Sequence, residues 1–272
     1  MKIIAGIILY HPDVQRLQEN IAAVKNQVDA IALWDNGGII PEFQNDKIIY
    51  LTKDSHNIGI ASALNGLCQY ALDHGYDWIL TLDQDSIVPS TLIGSYSKHL
   101  DNPEVAMLCP CIQDRNYGSM DYDIGSKNET DEVEACITSA SMLRLSAWQE
   151  VGGFWDELFI DMVDFDLCWS LREKGFKIIR DNSQTLYHEI GHSKKVCLLG
   201  KENVIFNHSP IRCYYNARNT IAVGKKHHKT PKCNRWLIKR ILLINLYEHE
   251  RFKKNWMIFR GIKDGIRLSK SL

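Results

Sequence analysis

What this chain lacks narrows its possible functions quickly. No apolar stretch approaches the roughly 18 residues a membrane-spanning helix needs; the nearest is Ile-Leu-Leu-Ile-Asn-Leu-Tyr at 241–247. The apolar N-terminus runs straight into His11, Pro12 and Asp13 without a small-residue cleavage site, so it reads as a strand and not as a secretory leader. A chain that does not cross a membrane by itself is the expectation. None of the eight cysteines forms a CxxC pair, and Cys109-Pro110-Cys111 has no matching second half. That spacing argues against a structural zinc site and a disulfide framework, and for free thiols in a reducing cytosol. Internal repeats, low-complexity tracts and Pro/Gly/Ser linkers are also missing. With 45% hydrophobic residues, 17 Gly and 7 Pro, disorder, collagen and coiled coil are excluded.

The 272 residues suffice for one large α/β domain with a helical appendage. Charge divides the chain where composition otherwise does not. From Lys225 to Leu272, fourteen Lys and Arg face Glu248, Glu250 and Asp264, a net +11, whereas residues 1–224 carry −12. A basic tail on an acidic body is attracted to anionic partners. Within it Trp236, Leu237, Ile241, Leu242, Ile244 and Leu246 recur among basic residues, which predicts one or two amphipathic helices. Two readings stand: the tail meets an anionic membrane surface, or it packs its apolar face on the main domain. Nucleic acid is not expected, because no compact recognition motif accompanies the charge.

Along residues 1–110, strand-like and helix-like segments alternate. Ile3–Leu9 reads as a strand, 14–28 as an amphipathic helix, and Ala30–Trp34 as a strand ended by Asp35-Asn36-Gly37-Gly38. Residues 48–51 follow as a strand, then a helix opening at Asn57 with Ile60, Leu64, Leu67 and Ala71 on one face, then the strand Trp78–Leu82, ended by Asp83-Gln84-Asp85-Ser86. Alternation of this kind predicts a mostly parallel sheet covered on both faces, with ligands at the carboxyl ends of its strands. Later segments read as a strand over 136–145, a turn at 152–154, a helix over 161–175 and a strand at 177–179.

Asp35, Asp83 and Asp85 fall at strand ends. If the chain stays extended, Asp83 and Asp85 share a face, and two neighbouring carboxylates repel unless a cation or proton lies between them. Oxygen ligands suit Mg²⁺ or Mn²⁺, whose shells phosphate oxygens and water complete. Turn and capping roles explain such aspartates equally well when they stand alone. A second acidic group lies at Asp161, Asp164 and Asp166 around a helix start. Capping accounts for one of the three, and a carboxylate beside a metal diphosphate can accept a proton from an incoming hydroxyl.

These segments together resemble family 2 glycosyltransferases of the GT-A fold, within them the bacterial rhamnosyltransferase-like group of O-antigen and surface polysaccharide synthesis. The resemblance rests on WDNGG at 34–38, HNIGIASALNGL at 56–67, LTLDQDS at 80–86, the long run 137–178, YHEIGH at 187–192 and RCYYNARNT at 212–220, in that order. It implies a GT-A domain over 1–224 and a basic helical tail over 225–272. By resemblance, Asp35 contacts the nucleotide, Asp83 lies near the ribose, and Asp85 binds the divalent metal, with His188 beside the metal or diphosphate. Asp164 matches the catalytic base, although Val163 stands where many relatives have Glu, so Asp161 and Asp166 stay open as alternatives. Asn57 is expected at the nucleotide, where backbone N–H groups at a helix start can approach it, or as a cap. Arg212, Arg218 and Asn219 are expected either to steady the leaving diphosphate or to form a helix surface.

The implied activity is a metal-dependent, inverting glycosyl transfer. The expected donor is dTDP-L-rhamnose, with a UDP-hexose as alternative, and the expected acceptor is a lipid-linked saccharide at the cytoplasmic face of the bacterial plasma membrane. Two other classes remain: a metal-dependent nucleotidyltransferase, disfavoured because no glycine-rich phosphate loop with a following basic residue lies near the N-terminus, and a non-catalytic protein held to a membrane by the tail.

Overall fold

The computed structural model describes residues 1–270 except 38–40, 44, 53–55, 115–117, 120–127, 189–193 and 199. In chain order the strands are β1 (Ile3–Leu9), β2 (Ala30–Asp35), β3 (Ile48–Thr52), β4 (Trp78–Asp83), β5 (Val105–Asp114), β6 (Gly118–Ser119), β7 (Thr130–Glu132), β8 (Ser141–Arg144), β9 (Lys177–His188), β10 (Lys194–Leu198) and β11 (Lys201–Ile205). The helices are α1 (Val14–Val24), α2 (Ile60–Asp73), α3 (Leu92–Tyr96), α4 (Leu145–Glu150), α5 (Val163–Glu173), α6 (Pro210–Lys226), α7 (Thr230–Tyr247) and α8 (Arg251–Leu268).

The main sheet runs β3-β2-β1-β4-β8-β5-β9-β7, with β6 paired to β5, while β10 and β11 form a separate hairpin. Its first four strands are parallel, β8 is antiparallel to both neighbours, β5 and β9 are parallel, and β7 closes the edge antiparallel. The expected α/β architecture is present.

Period-2 alternation builds the core on both faces of the sheet. Ile4, Ala32, Trp34 and Ile79 point into one buried cluster with α2, α4 and α5. Ala5, Ile7, Ile31, Leu33, Trp78 and Leu80 point into the other, against α1 and α3. Each of these large side chains stabilises the fold by about 1.5–3 kcal/mol on burial. Asp13 caps α1, its Oδ1 accepting from the Arg16 N–H at 3.0 Å, worth about 1 kcal/mol. Helix α2 lies close on β1 because Gly6 has no Cβ; one there would stand 3.0 Å from Ile79 Cδ1 and 3.1 Å from Leu67 Cδ1.

Several elements differ from the sequence expectation. Helix α1 stops at Val24, and α2 begins at Ile60 with Gly59, not Asn57, at its cap (φ +88°). The strand expected over 136–145 is only the four residues of β8. Strand β9 is 12 residues long instead of three, and β5 is an additional strand. Helices α6, α7 and α8 share a third core of Cys213, Ala217, Leu237, Ile244 and Ile258, and the charge break at Lys225 falls in the last turn of α6. Among the described residues no helix is long and apolar enough to cross a membrane.

Candidate active site

The carboxyl ends of β1, β2 and β4 and the start of α2 enclose a cleft of about 330 Å³ lined by Tyr10, Asn36, Asn57, Thr81, Asp83 and Phe159, among others. One wall is an amide network. The Asn36 amide donates to Asn57 Oδ1 at 3.2 Å, and its carbonyl accepts from the Ile58 N–H at 3.0 Å. Asn57 Oδ1 also accepts from the Gly59 N–H at 2.9 Å, a local turn that leads into α2. Gly59 lets the 156–162 turn approach, since a Cβ there would stand 2.6 Å from the Phe159 ring. The Ile60 N–H then donates to the Phe159 carbonyl at 2.6 Å, so one free N–H of the first turn of α2 is taken by protein.

The opposite wall is β4 and its turn. Asp83 pairs with Ile8 across the sheet, and the Ser86 N–H closes the turn onto the Asp83 carbonyl at 3.2 Å. The turn breaks the extended path assumed from sequence. Asp83 is half-buried at the cleft, whereas Asp85 is exposed beyond it. Gln84 fixes this arrangement: its Oε1 accepts from the Tyr10 N–H at 2.9 Å and its amide donates to the Tyr10 carbonyl at 3.2 Å. The strand end is thereby tied to the neighbouring strand.

The floor is the turn before α5, which is strained. Phe159, Asp161 and Met162 all have positive φ, 62°, 65° and 66°, costing on the order of 1–3 kcal/mol each. Donors from α6 hold it. The fully buried Asn219 amide donates to the carbonyls of Leu158 and Ile160, each at 2.7 Å, and of Asp161 at 2.9 Å. Arg218 donates to the carbonyls of Glu157 and Leu158 and lies over the Tyr215 ring, 4.9 Å from its centroid. Tyr215 stacks in turn on Phe159, centroids 5.0 Å apart.

Asp164 starts α5 above this turn. Burial, with a smaller contribution from the nearby Asp161 and Asp83 carboxylates, pushes its carboxyl up to about 6, against the opposing effect of the Phe165 N–H that it accepts at 2.9 Å. A carboxylate tuned near 6 is ionised at neutral pH yet basic enough to take a proton. Asp161 pairs through Oδ1 with Arg212 at 3.2 Å, and its other oxygen is buried with no hydrogen-bond partner. Asp83 lines the cleft, and the Asp83 and Asp161 carboxylates lie near enough to Asp164 to raise its proton affinity. Among the described residues no group of three or more His, Cys, Asp or Glu is close enough to hold a metal by itself. The donor set fits a hard cation that takes one or two carboxylates and completes its shell with phosphate oxygens and water.

The remaining sequence candidates are placed as follows. Asp35 is buried at the end of β2, its Oδ1 accepting from the Gly37 N–H at 3.0 Å; it does not line the cleft, and Asn36 does. Asn36 was missed, and the signal for it was the alternation of β2, which turns residue 36 to the α2 side with Trp34. Asp166 is fully buried between Lys226 at 2.8 Å and His227 at 2.9 Å, which corrects its candidacy as a base: it has no open side on which to meet an acceptor. Arg218 and Asn219 are likewise corrected, because the donors expected at a diphosphate are given to the carbonyls of the 157–161 turn. Asp161 does not cap α5, whose cap residue is Met162. His188 ends β9, and its side chain lies outside the described residues, as do Gly38 and most of the 187–192 motif.

Residues 7–152 match the family model described as Glycosyl transferase family 2. The chain is 28% identical over 244 residues to the dTDP-rhamnosyl transferase RfbF of Shigella flexneri, covering 83% of this chain and 81% of that protein. Among solved structures it superposes on S. aureus TarS with a TM-score of 0.67 at 12% identity, covering 98% of this chain and 49% of that one. It also superposes on TarS 1–349 in complex with UDP-GlcNAc, with a TM-score of 0.66 at 12% identity and coverage of 98% and 81%. For GalNAc-T7 with UDP, GalNAc and Mn²⁺ the TM-score is 0.61 at 11% identity, covering 91% of this chain and 58% of that one. The chain therefore spans only about half the length of TarS and of GalNAc-T7, and at these identities the structural likeness carries the fold alone.

Proposed function

We propose, for a chain that belongs to glycosyl transferase family 2 and is thereby a glycosyltransferase, that it moves L-rhamnose from dTDP-L-rhamnose to a hydroxyl of a lipid-linked saccharide, with inversion. The observation that carries the mechanism is Asp164, a carboxylate tuned to about 6 that feels the charge of Asp83 on the cleft wall. The acceptor hydroxyl gives its proton to Asp164 as its oxygen bonds to the anomeric carbon from the face opposite the diphosphate. The bonding pair of the broken carbon–oxygen bond leaves with the nucleotide. One base and one displacement require no covalent sugar intermediate, and general-base help of this kind contributes about 10²- to 10⁴-fold.

Asp85, on the turn that follows Asp83, is the residue that would hold Mg²⁺ or Mn²⁺ with the diphosphate, with Asp83 toward the ribose, and a bound cation would supply neutralisation of the charge growing on the leaving oxygens. Asn36 and Asn57 line the nucleotide side of the cleft, and Arg212 is the arginine of the 212–220 motif that pairs with Asp161. Residues 1–224 form the catalytic part, and 225–272 hold it peripherally at the cytoplasmic membrane face, where O-antigen or another surface polysaccharide is assembled on lipid. Similarity to a dTDP-rhamnosyl transferase supports the donor. A UDP-hexose donor is the second reading, favoured by fold relatives bound to UDP and UDP-GlcNAc.

Calorimetric titration of dTDP-rhamnose, UDP-glucose and UDP-galactose, with and without Mn²⁺, tests this on the native protein and on Asp85→Ala. Metal-dependent binding of dTDP-rhamnose that Asp85→Ala abolishes is the expected result. Preference for a UDP-sugar overturns the donor, and metal-independent binding overturns the role of Asp85.

A further inference from the structure

We propose that the outward face of α8 is a docking surface for an anionic phospholipid bilayer. This deepens the lipid-linked acceptor reading above, yet its observations are separate from the catalytic cleft. The two faces of α8 have different chemistry. The inward face is Lys254, Ile258, Gly261 and Gly265, all buried. The two glycines, one helical turn apart, let α8 lie directly on the α6 backbone at Tyr214 and Arg218. Lys254 is turned inward to Glu248 at 2.8 Å, so its charge is spent inside.

The outward face is unlike an ordinary solvated helix. Phe252, Trp256 and Phe259 are 93%, 63% and 62% exposed, and the Trp256 and Phe259 rings stack with centroids 6.3 Å apart. From 251 to 270 the exposed residues are four large apolar and six basic side chains, with no acid among them. Arg260, Lys263 and Lys270 have no ion-pair partner among the described residues. Several other cations of the tail do have partners: Lys229 and Lys232 face Glu134, and Arg240 faces Glu248. Bulky aromatics flanked by unpaired cations are the composition of a helix that lies in a lipid headgroup layer.

Charge selects among occupants. A symmetric dimer through this face would set the same cation row against itself, whereas an anionic bilayer complements it. The body, at −12, is repelled by such a surface, so the molecule is oriented with its tail inward. Docking would place the bilayer behind α8 and α6.

The test is co-sedimentation of the full chain with vesicles of phosphatidylcholine alone or with one-quarter phosphatidylglycerol. Phe252→Ser/Trp256→Ser/Phe259→Ser and Arg260→Glu/Lys263→Glu are compared with the native protein, with thermal melting and nucleotide-sugar calorimetry on the same preparations. The native protein is expected to bind only the anionic vesicles and to release as salt rises. The aromatic triple variant is expected to lose at least about tenfold in partitioning and the charge reversal to lose all binding, both with unchanged melting. Failure of the native protein to bind, or undiminished binding by the triple variant, overturns the proposal. So does a dimer that the triple variant dissociates without any lipid binding, which would make a second copy the occupant. Vesicle binding without nucleotide-sugar binding would overturn the donor reading and leave this one standing.

Discussion

Two acidic clusters lie at the start of one helix, and they have opposite fates. Asp164 has the Asp161 and Asp83 carboxylates near it, and burial and like charge raise its proton affinity. Asp166, two residues on, is fully buried but held by Lys226 and His227, the latter also bound to Glu173 at 2.8 Å. In the first cluster Arg212 pairs with Asp161, and among the described residues Asp164 itself has no ion-pair partner. The second cancels its charge internally and pins α6 to α5. Compensation, not burial, separates a carboxylate available for chemistry from one that holds the fold.

Removing each acid in turn should break that contrast most strongly. Asp164→Asn is expected to lower kcat for sugar transfer by about 10²- to 10⁴-fold, measured with saturating donor and acceptor. Its stability should rise. The carboxyl is held near 6 against an ordinary 3.8, so between about pH 4 and 6 the folded chain keeps a proton that the unfolded chain releases. Stability from this group therefore falls as pH rises through that window and stays lowered above it. At pH 7, denaturant unfolding of Asp164→Asn should show up to about 2 kcal/mol of gain, after discounting for partial exposure. Asp166→Asn should do the reverse, costing about 3–5 kcal/mol because Lys226 and His227 lose a buried partner. A destabilised Asp164→Asn with a stable Asp166→Asn would invert the assignment.

The parallel half of the site was legible in the sequence and the α6 side was not, for a physical reason. Strands β1, β2 and β4 announce themselves through local alternation, and ligand-facing residues follow at their carboxyl ends. Asp83 was therefore expected at a strand end, where it lines the cleft, and the same alternation turns Asn36 to that cleft. Strand β9 carries Asp181-Asn182-Ser183-Gln184 in mid-strand, a polar run that hides the period. It is stabilised by distant partners: Asp181 accepts from Ser95 at 2.5 Å, and Asn182 donates to Asp131 at 2.8 Å. Pairing with β5 is interrupted there between Pro110 and Cys111, where Pro110 lacks an N–H. Arg218 and Asn219 were expected at the diphosphate or on a helix surface, and their donors instead hold the turn before α5. Their acceptors are carbonyls about 60 residues earlier in the chain, and no local pattern encodes that pairing.

The α6 clamp offers the next test. Asn219→Leu leaves up to three turn carbonyls without their donor and is expected to cost about 1–3 kcal/mol. Because the turn sets the start of α5, kcat should fall more than donor affinity, measured by calorimetry beside turnover. Equal loss of both would reduce Asn219 to a general support of the cleft.

The smallest expected effect belongs to Arg212, whose pair with Asp161 is half-exposed on the arginine side. An exposed pair of this kind contributes about 0–1 kcal/mol to stability, so Arg212→Gln should melt nearly as the native protein does. Its effect should appear in the pH profile. In the native enzyme kcat/KM should rise about tenfold per pH unit below 6 and level off above 7, following Asp164. Without Arg212 the Asp161 charge is unopposed, which favours the protonated form of Asp164, so the rising limb should move to higher pH by less than about one unit. A limb that stays in place would mean that Arg212 neutralises Asp161 without influencing the base, and would detach that ion pair from the chemistry of Asp164.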